Sequence, residues 1–345
     1  MLCLINLRNH HLSFCGEVLH HFTFISSDSN LFDITSQKKG SSMGDFKDKV
    51  VVVTGAGGGL GKAHALEFAK RGAKVVVNDL GGSDDGRGKS DMADIVVKEI
   101  HALGGDAIAN KASVADKEGA QSIIDDAVNT YGTVDILVNN AGILRDKSFK
   151  NMDMGDWDVV MNVHLNGTSY VTKAAWSVMW KKAYGRIVMT SSTSGIFGNF
   201  GQANYGAAKM GMLGLMNVLA IEGLSKNIRV NTLAPDAETR LIATIPGAQV
   251  NPEDPDPMRH PKLVSPAVLL LCDDDAPTNK TIHAGNGKFS CSAIYINRSL
   301  SFSADVTYEE LLERKNELFD MNNAEEMSGL IRAQRMLDAQ KNAHD

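Results

Sequence analysis

An α/β fold built on a doubly wound parallel sheet is what the sequence predicts, and three observations carry that prediction. Val50 to Thr54 is a run of four valines and a threonine, the composition of a strand buried on both faces of a parallel sheet. A glycine-rich stretch, Thr54 to Gly61, follows it and opens a helical pattern. From Lys49 onward strand and helix alternate, the order that places helices on both faces of a parallel sheet. With 345 residues, 43% of them hydrophobic, the chain has enough apolar surface for one large domain with appendages.

Residues 1–44 carry no sustained period and read as a disordered extension, with Met43 the expected functional start. The pairs His10/His11 and His20/His21 within it read as incidental, and no metal site is expected. After the first strand, Leu60, Ala63, Leu66 and Ala69 recur at three- and four-residue steps and mark a helix to about Arg71. Lys74 to Asp79 is the second strand. A helix near Asp91 to Leu103 leads to a third strand, Asp106 to Lys111, and a helix from Lys117 to Tyr131 leads to a fourth, Asp135 to Asn139. Further strands are expected at Arg186 to Thr190, Arg229 to Leu233 and Thr281 to Ala284.

All eight prolines fall between Pro235 and Pro277. That segment reads as a surface excursion beside the strand ends, outside the packed sheet. Two tail helices are expected where Thr307 precedes Glu310 and Asn323 precedes Glu326, each a capping-box spacing. The domain reading is residues 1–44 as extension, 45–300 as a Rossmann-type domain and 301–345 as docking helices.

Composition closes off several function classes. The chain has 35 basic against 41 acidic residues and a net charge of -6, with no block of like charges, so neither nucleic acid nor an anionic membrane is an expected partner. No apolar run approaches the roughly 18 residues that span a bilayer. Four scattered cysteines, Cys3, Cys15, Cys272 and Cys291, form neither a disulfide framework nor a C-x-x-C. A reducing compartment fits that usage, with the cytoplasm expected and the peroxisome or mitochondrion as alternatives. The C-terminal Ala343-His344-Asp345 is not an S-K-L address.

The chemistry gathers in three places. The glycine run satisfies T-G-x-x-x-G-x-G from Thr54 to Gly61 and fails G-x-G-x-x-G, because Leu60 stands at its third glycine. Between a strand and a helix, such a loop offers free backbone N–H groups and a helix dipole to a pyrophosphate. Asp79 ends the second strand, where an acid accepts hydrogen bonds from the adenosine ribose hydroxyls and repels a 2′-phosphate, so NAD is expected rather than NADP. Tyr205 and Lys209 are four apart on one helical face. A phenol near pKa 10 needs help to act as a base, and a neighbouring ammonium is expected to supply it. Ser192, just after the strand ending at Thr190, is placed to meet them at the carboxyl edge of the sheet.

Thr54 to Gly61, Asn139-Asn140-Ala141-Gly142, Ser192, and Tyr205 with Lys209 together resemble the short-chain dehydrogenase/reductase superfamily. Asn78 to Gly82, Asn139 to Asp146, Val163-His164-Leu165 and Gly198 to Lys209 resemble, more narrowly, the (3R)-hydroxyacyl-CoA dehydrogenase unit of the peroxisomal multifunctional enzyme type 2 family. The resemblance implies Tyr205 as acid/base, Ser192 holding the substrate oxygen, and Lys209 lowering the tyrosine pKa and binding the nicotinamide ribose. It also implies a cofactor cleft lined by Gly55, Gly59, Leu60, Gly61, Asp79, Asn140, Gly142 and Pro235. His164 stands where the superfamily usually has asparagine, so the proton relay is expected to run through imidazole or be rebuilt around water. Ala112 replaces the acid common after the third strand, and Asp236 and residues 246–261 depart from the pattern.

The reading is NAD-dependent oxidation of a (3R)-3-hydroxyacyl thioester by a stand-alone dehydrogenase. A carbonyl or steroid reductase of the same fold is the alternative among enzymes, and a non-catalytic dinucleotide-binding subunit the alternative of another class. The helix from Tyr205 to Ile221 is apolar nearly all round. Since the superfamily commonly dimerises through this helix and that from Asp153 to Trp180, a homodimer is expected.

Overall fold

The computed structural model describes residues 44–82, 88, 90–243, 249–252 and 254–342. The expected extension over residues 1–43, Pro246 and the last three residues lie outside them. In β1 (Val50–Thr54) all five residues are buried. Val51 and Val53 join one core with Phe68, Ile100 and Val268; Val50 and Val52 join a second with Ile123, Met179 and Met212. Successive strand side chains point to opposite faces, so an unbroken valine run belongs in mid-sheet with both faces covered.

Parallel to β1 run β2 (Lys74–Asn78), β3 (Asp106–Asn110), β4 (Ile136–Asn139), β5 (Gly185–Thr190), β6 (Ile228–Asp236) and β7 (Thr281–Gly285), and β8 (Lys288–Ser292) closes the edge antiparallel to β7. The order is β3-β2-β1-β4-β5-β6-β7-β8. It reverses between β1 and β4, and at such a reversal the carboxyl ends of the strands part to leave a ligand crevice. This is the Rossmann-type doubly wound sheet that the valine strand and the alternation predict.

Helices α1 (Gly59–Lys70) and α2 (Met92–Ala102) contribute Phe68 and Ile100 to the first core. On the other face lie α3 (Lys117–Tyr131), α4 (Met154–Met161), α5 (Gly167–Lys182), the short α6 (Thr193–Ile196) and α7 (Ala203–Glu222). Asp116 caps α3 by accepting from Gly119 N at 2.7 Å, and Gly132, at φ 82°, ends it. The chain from Asp153 to Trp180 is not one regular helix: a π-helical turn, Asn162–Asn166, separates α4 from α5 and carries His164. At the foot of β5, fully buried Arg186 donates to the carbonyls of Asp273 (2.8 Å), Gly185 (2.8 Å), Asn227 (2.9 Å) and Asp274 (2.7 Å).

Three expectations need correction. Pro235 belongs to the sheet, as the penultimate residue of β6. After the short α8 (Arg240–Ala243), the proline segment also contains α9 (Ser265–Cys272), whose Val268 is fully buried in the first core. Pro266 sits in its first turn, where a missing N–H costs nothing. In the tail, Thr307 and Glu310 do form a capping box at α10 (Tyr308–Glu313), followed by α11 (Lys315–Leu318). Asn323 starts no helix: Glu325–Glu326 is a strand, β10, paired with β9 (Tyr295–Ile296), and α12 runs over Gly329–Asn342.

Candidate active site

Where β1 and β4 part, a cleft of about 430 Å³ opens, a volume in the usual range for small-molecule sites. Gly55, Gly59, Leu60, Asp79, Asn140, Gly142, His164, Ser192, Tyr205, Lys209 and Pro235 all line it. Gly61 stands behind the loop.

The glycines answer to the protein itself before any ligand. Gly55 has φ +63°, and a Cβ there would lie 2.7 Å from Ala141 Cα; one on Gly61 would lie 2.1 Å from Gly55 O. These positions let helix, loop and β4 close on one another. Gly58 and Gly59, by contrast, have only side-chain atoms near, at 3.3 Å or more, and they start α1 facing the cleft. Asn140 braces the loop, its Nδ2 donating to Thr54 O (3.1 Å) and Gly55 O (3.0 Å). Asp79 accepts from Gly57 N at 2.8 Å and Gly81 N at 2.7 Å, one on each carboxylate oxygen. Each oxygen keeps a lone pair for a further donor. Lys62 is held by Glu99 at 2.6 Å, away from that acid. A glycine cradle at a helix start, with an acid across it, is a donor and acceptor set that fits a dinucleotide.

Tyr205 and Lys209 share one face of α7, and the Lys209 amine lies 5.3 Å from the centre of the phenol ring. Burial drives the two in opposite directions. It pushes the phenol up to about 12, although the Ser192 hydroxyl, hydrogen-bonded to it, pulls the other way and the Asp146 charge adds to the rise. Burial brings the Lys209 amine down to about 7, and its Nζ donates to Thr190 O. The expectation that a neighbouring ammonium lowers the phenol is not met, because burial dominates both groups. Ser192 also caps α6, accepting from Ser194 N at 3.1 Å.

His164 packs edge-on against the Tyr205 ring, 5.1 Å between centres. Its Nε2 sits between Ile143 N (3.0 Å) and Ile143 O (2.8 Å), and its buried Nδ1 has no partner. Burial, then the Lys209 charge, hold the imidazole well below its usual pKa against a smaller pull from Ile143. It is therefore neutral near pH 7 and braces the loop that carries Gly142.

Sequence reasoning missed four residues. Thr239 and Arg240 line the cleft just past Pro235, with Arg240 Nη2 3.4 Å from where a Gly58 Cβ would stand. The signal was a hydroxyl and a cation four and five residues after the strand-end proline. Gln202 and Asp146 meet behind Tyr205, Nε2 donating to Oδ2 at 2.6 Å. Both stood inside stretches noted only for their resemblance.

A parallel sheet with a dinucleotide cleft at its reversal, and a serine, tyrosine and lysine on its wall, defines a dinucleotide-dependent oxidoreductase. The short chain dehydrogenase family model matches residues 49–244, and the chain belongs to that family. It is 48% identical over 299 residues to peroxisomal multifunctional enzyme A of Dictyostelium discoideum, covering 84% of this chain and 66% of that one. To peroxisomal multifunctional enzyme type 2 of Mus musculus it is 54% identical over 235 residues, 68% of this chain and 31% of that one. The chain thus spans less than two thirds of the length of either relative. Among solved structures, a short chain dehydrogenase from Mycobacterium avium superposes with TM-score 0.70 at 38% identity, covering 81% of this chain and 97% of that one. A 7α-hydroxysteroid dehydrogenase complexed with NADH and a 7-oxo bile acid superposes with TM-score 0.61 at 29% identity, covering 71% and 96%.

Proposed function

We propose that the protein oxidises the secondary alcohol of a (3R)-3-hydroxyacyl thioester with NAD. The observation that carries this is the meeting of Ser192, Tyr205 and Lys209 on the wall of a cleft whose floor is the glycine loop. NAD would be held by the loop from Gly55 to Gly61, by Asp79 and by Lys209, and supplies the hydride acceptor when bound. Asp79 supports NAD over NADP, since a 2′-phosphate would face a carboxylate already fixed by two backbone donors. As phenolate, Tyr205 Oη takes the alcohol proton in oxidation, and as phenol it returns it in reduction. Ser192 Oγ fixes the substrate oxygen beside it. Lys209, near pKa 7 in this site, takes up or gives a proton with little cost at neutral pH. Neutral His164 acts by holding Ile143 and the adjoining loop.

The thioester substrate is supported by the multifunctional-enzyme relatives, and a peroxisomal location by the same names, in place of the cytoplasm expected from cysteine usage. The bile-acid complex favours the steroid reading as the second candidate. We also take the protein to work as a homodimer, supported by the partly exposed apolar residues Met210 (42%) and Val218 (51%) on α7; a monomeric mass in solution would overturn it. NADH formation over a panel of hydroxyacyl thioesters and hydroxysteroids separates the readings. Tyr205→Phe should abolish turnover while leaving NAD affinity nearly intact; retained activity would remove Tyr205 from the chemistry.

A further inference from the structure

One cation in the cleft has no part in the proposed reaction. Arg240 opens α8, shortly after β6 ends at Asp236, and lines the cleft. Its guanidinium lies over the glycine loop: Nη2 stands 3.4 Å and Cζ 3.9 Å from where a Gly58 Cβ would be. Thr239 covers the next glycine in the same way, its Cγ2 3.4 Å from the Gly59 position. Gly58 caps α1 with backbone alone, since no side chain accepts there and the first turn holds no acid. The positive end of the helix dipole and the guanidinium therefore meet at Gly58. The other ionisable groups of the cleft are engaged or uncharged. Asp79 accepts from Gly57 N and Gly81 N, His164 is neutral near pH 7, and the Lys209 amine, with its pKa near 7, lies beside Thr190 and Tyr205. Among the described residues that line the cleft, Arg240 is the one permanent cation.

We propose that Arg240 binds the doubly anionic pyrophosphate of the dinucleotide, its guanidinium supplying from the segment after β6 the charge that the backbone donors of the glycine loop lack. The inference rests on the dinucleotide reading of the same cleft. A guanidinium engages phosphate oxygens through two parallel N–H donors, which a point charge does not. A 2′-phosphate is the other anion it could take, and the Asp79 carboxylate beside Gly57 opposes one. Arg240 is exposed at the rim of the cleft, so its attraction for a phosphate is screened by salt.

The test is binding of NADH to the full chain without substrate, followed by nicotinamide fluorescence at about 0.01 M and about 1 M salt. Arg240→Gln should weaken binding about threefold to twentyfold at the lower concentration and match wild type within about twofold at the higher. Arg240→Lys, which keeps the charge without the fork, should fall between the two at low salt. Unchanged affinity in Arg240→Gln overturns the proposal. So does a loss of the same size at both salt concentrations, which would make Arg240 a brace for the loop. A larger loss for NADPH than for NADH would move the guanidinium to the 2′-phosphate and overturns it too. If the wild type binds neither dinucleotide, the dinucleotide reading fails and takes the inference with it; tight binding that ignores residue 240 removes the inference alone.

Discussion

Adding one methyl group at Gly142 should cost this protein a large part of its stability. A Cβ there would stand 2.4 Å from His164 Cε1 and 3.2 Å from Nδ1. The imidazole has nowhere to go: it is fully buried, sits against the Tyr205 ring and is hydrogen-bonded to the Ile143 backbone. Overpacking costs about 1–3 kcal/mol and a broken buried hydrogen bond about 1–3 more, so Gly142→Ala should lose about 2–6 kcal/mol. Against a typical total of about 5–15 kcal/mol, that shift is plain in a urea midpoint. In the double variant Gly142→Ala/His164→Asn the smaller side chain frees the space, and about 0.5–3 kcal/mol should return as coupling. A Gly142→Ala protein as stable as wild type, or strict additivity with His164→Asn, would refute the packing argument.

Arg186→Met should destabilise by about 3–5 kcal/mol, because four backbone carbonyls lose a charged donor at once; a loss under about 1 kcal/mol in denaturant would show those carbonyls to be satisfied otherwise. Lys209 has its pKa lowered to about 7 in the folded protein against about 10.4 unfolded, so unfolding binds a proton and folding gains with rising pH across that window. Relative to Lys209→Met, wild type should gain about 1.4 kcal/mol per pH unit between about pH 7 and 9, and parallel stability curves would contradict the shift. Glu238, almost buried, binds Arg259 at 3.0 Å and Asp256 N at 3.0 Å. Arg259→Ala should leave the nearly buried Glu238 carboxylate without its guanidinium partner and destabilise by about 1–3 kcal/mol; an unchanged urea midpoint would show the carboxylate to be satisfied otherwise.

What the sequence made legible follows from how local the cause was. β1 and α3 were readable to the residue, one because four valines in a row cannot face water, the other because Lys117 to Tyr131 is preceded by its cap and followed by glycine. β8 was not: Lys288, Phe289, Ser290 and Cys291 are exposed edge residues whose pairing is with β7 alone, and no burial pattern announces such a strand. Asn323 and Glu326 have the spacing of a capping box, but Glu326 pairs with Tyr295, so a tertiary ladder overrides a local signal. In the site, Tyr205 and Lys209 showed as an i,i+4 pair. Asp146 and Gln202 meet across 56 positions of chain, a contact that spacing cannot reveal.

The ionisation of the site is the part furthest from the sequence, and it reverses the simple expectation. A tyrosine beside a lysine suggests phenolate beside ammonium. In this fold burial acts on both before either acts on the other, so the phenol keeps its proton and the amine is close to giving one up. With its pKa near 7 the amine carries about half a charge at pH 7, so the pair bears less of the desolvation cost that a full buried ion pair would impose.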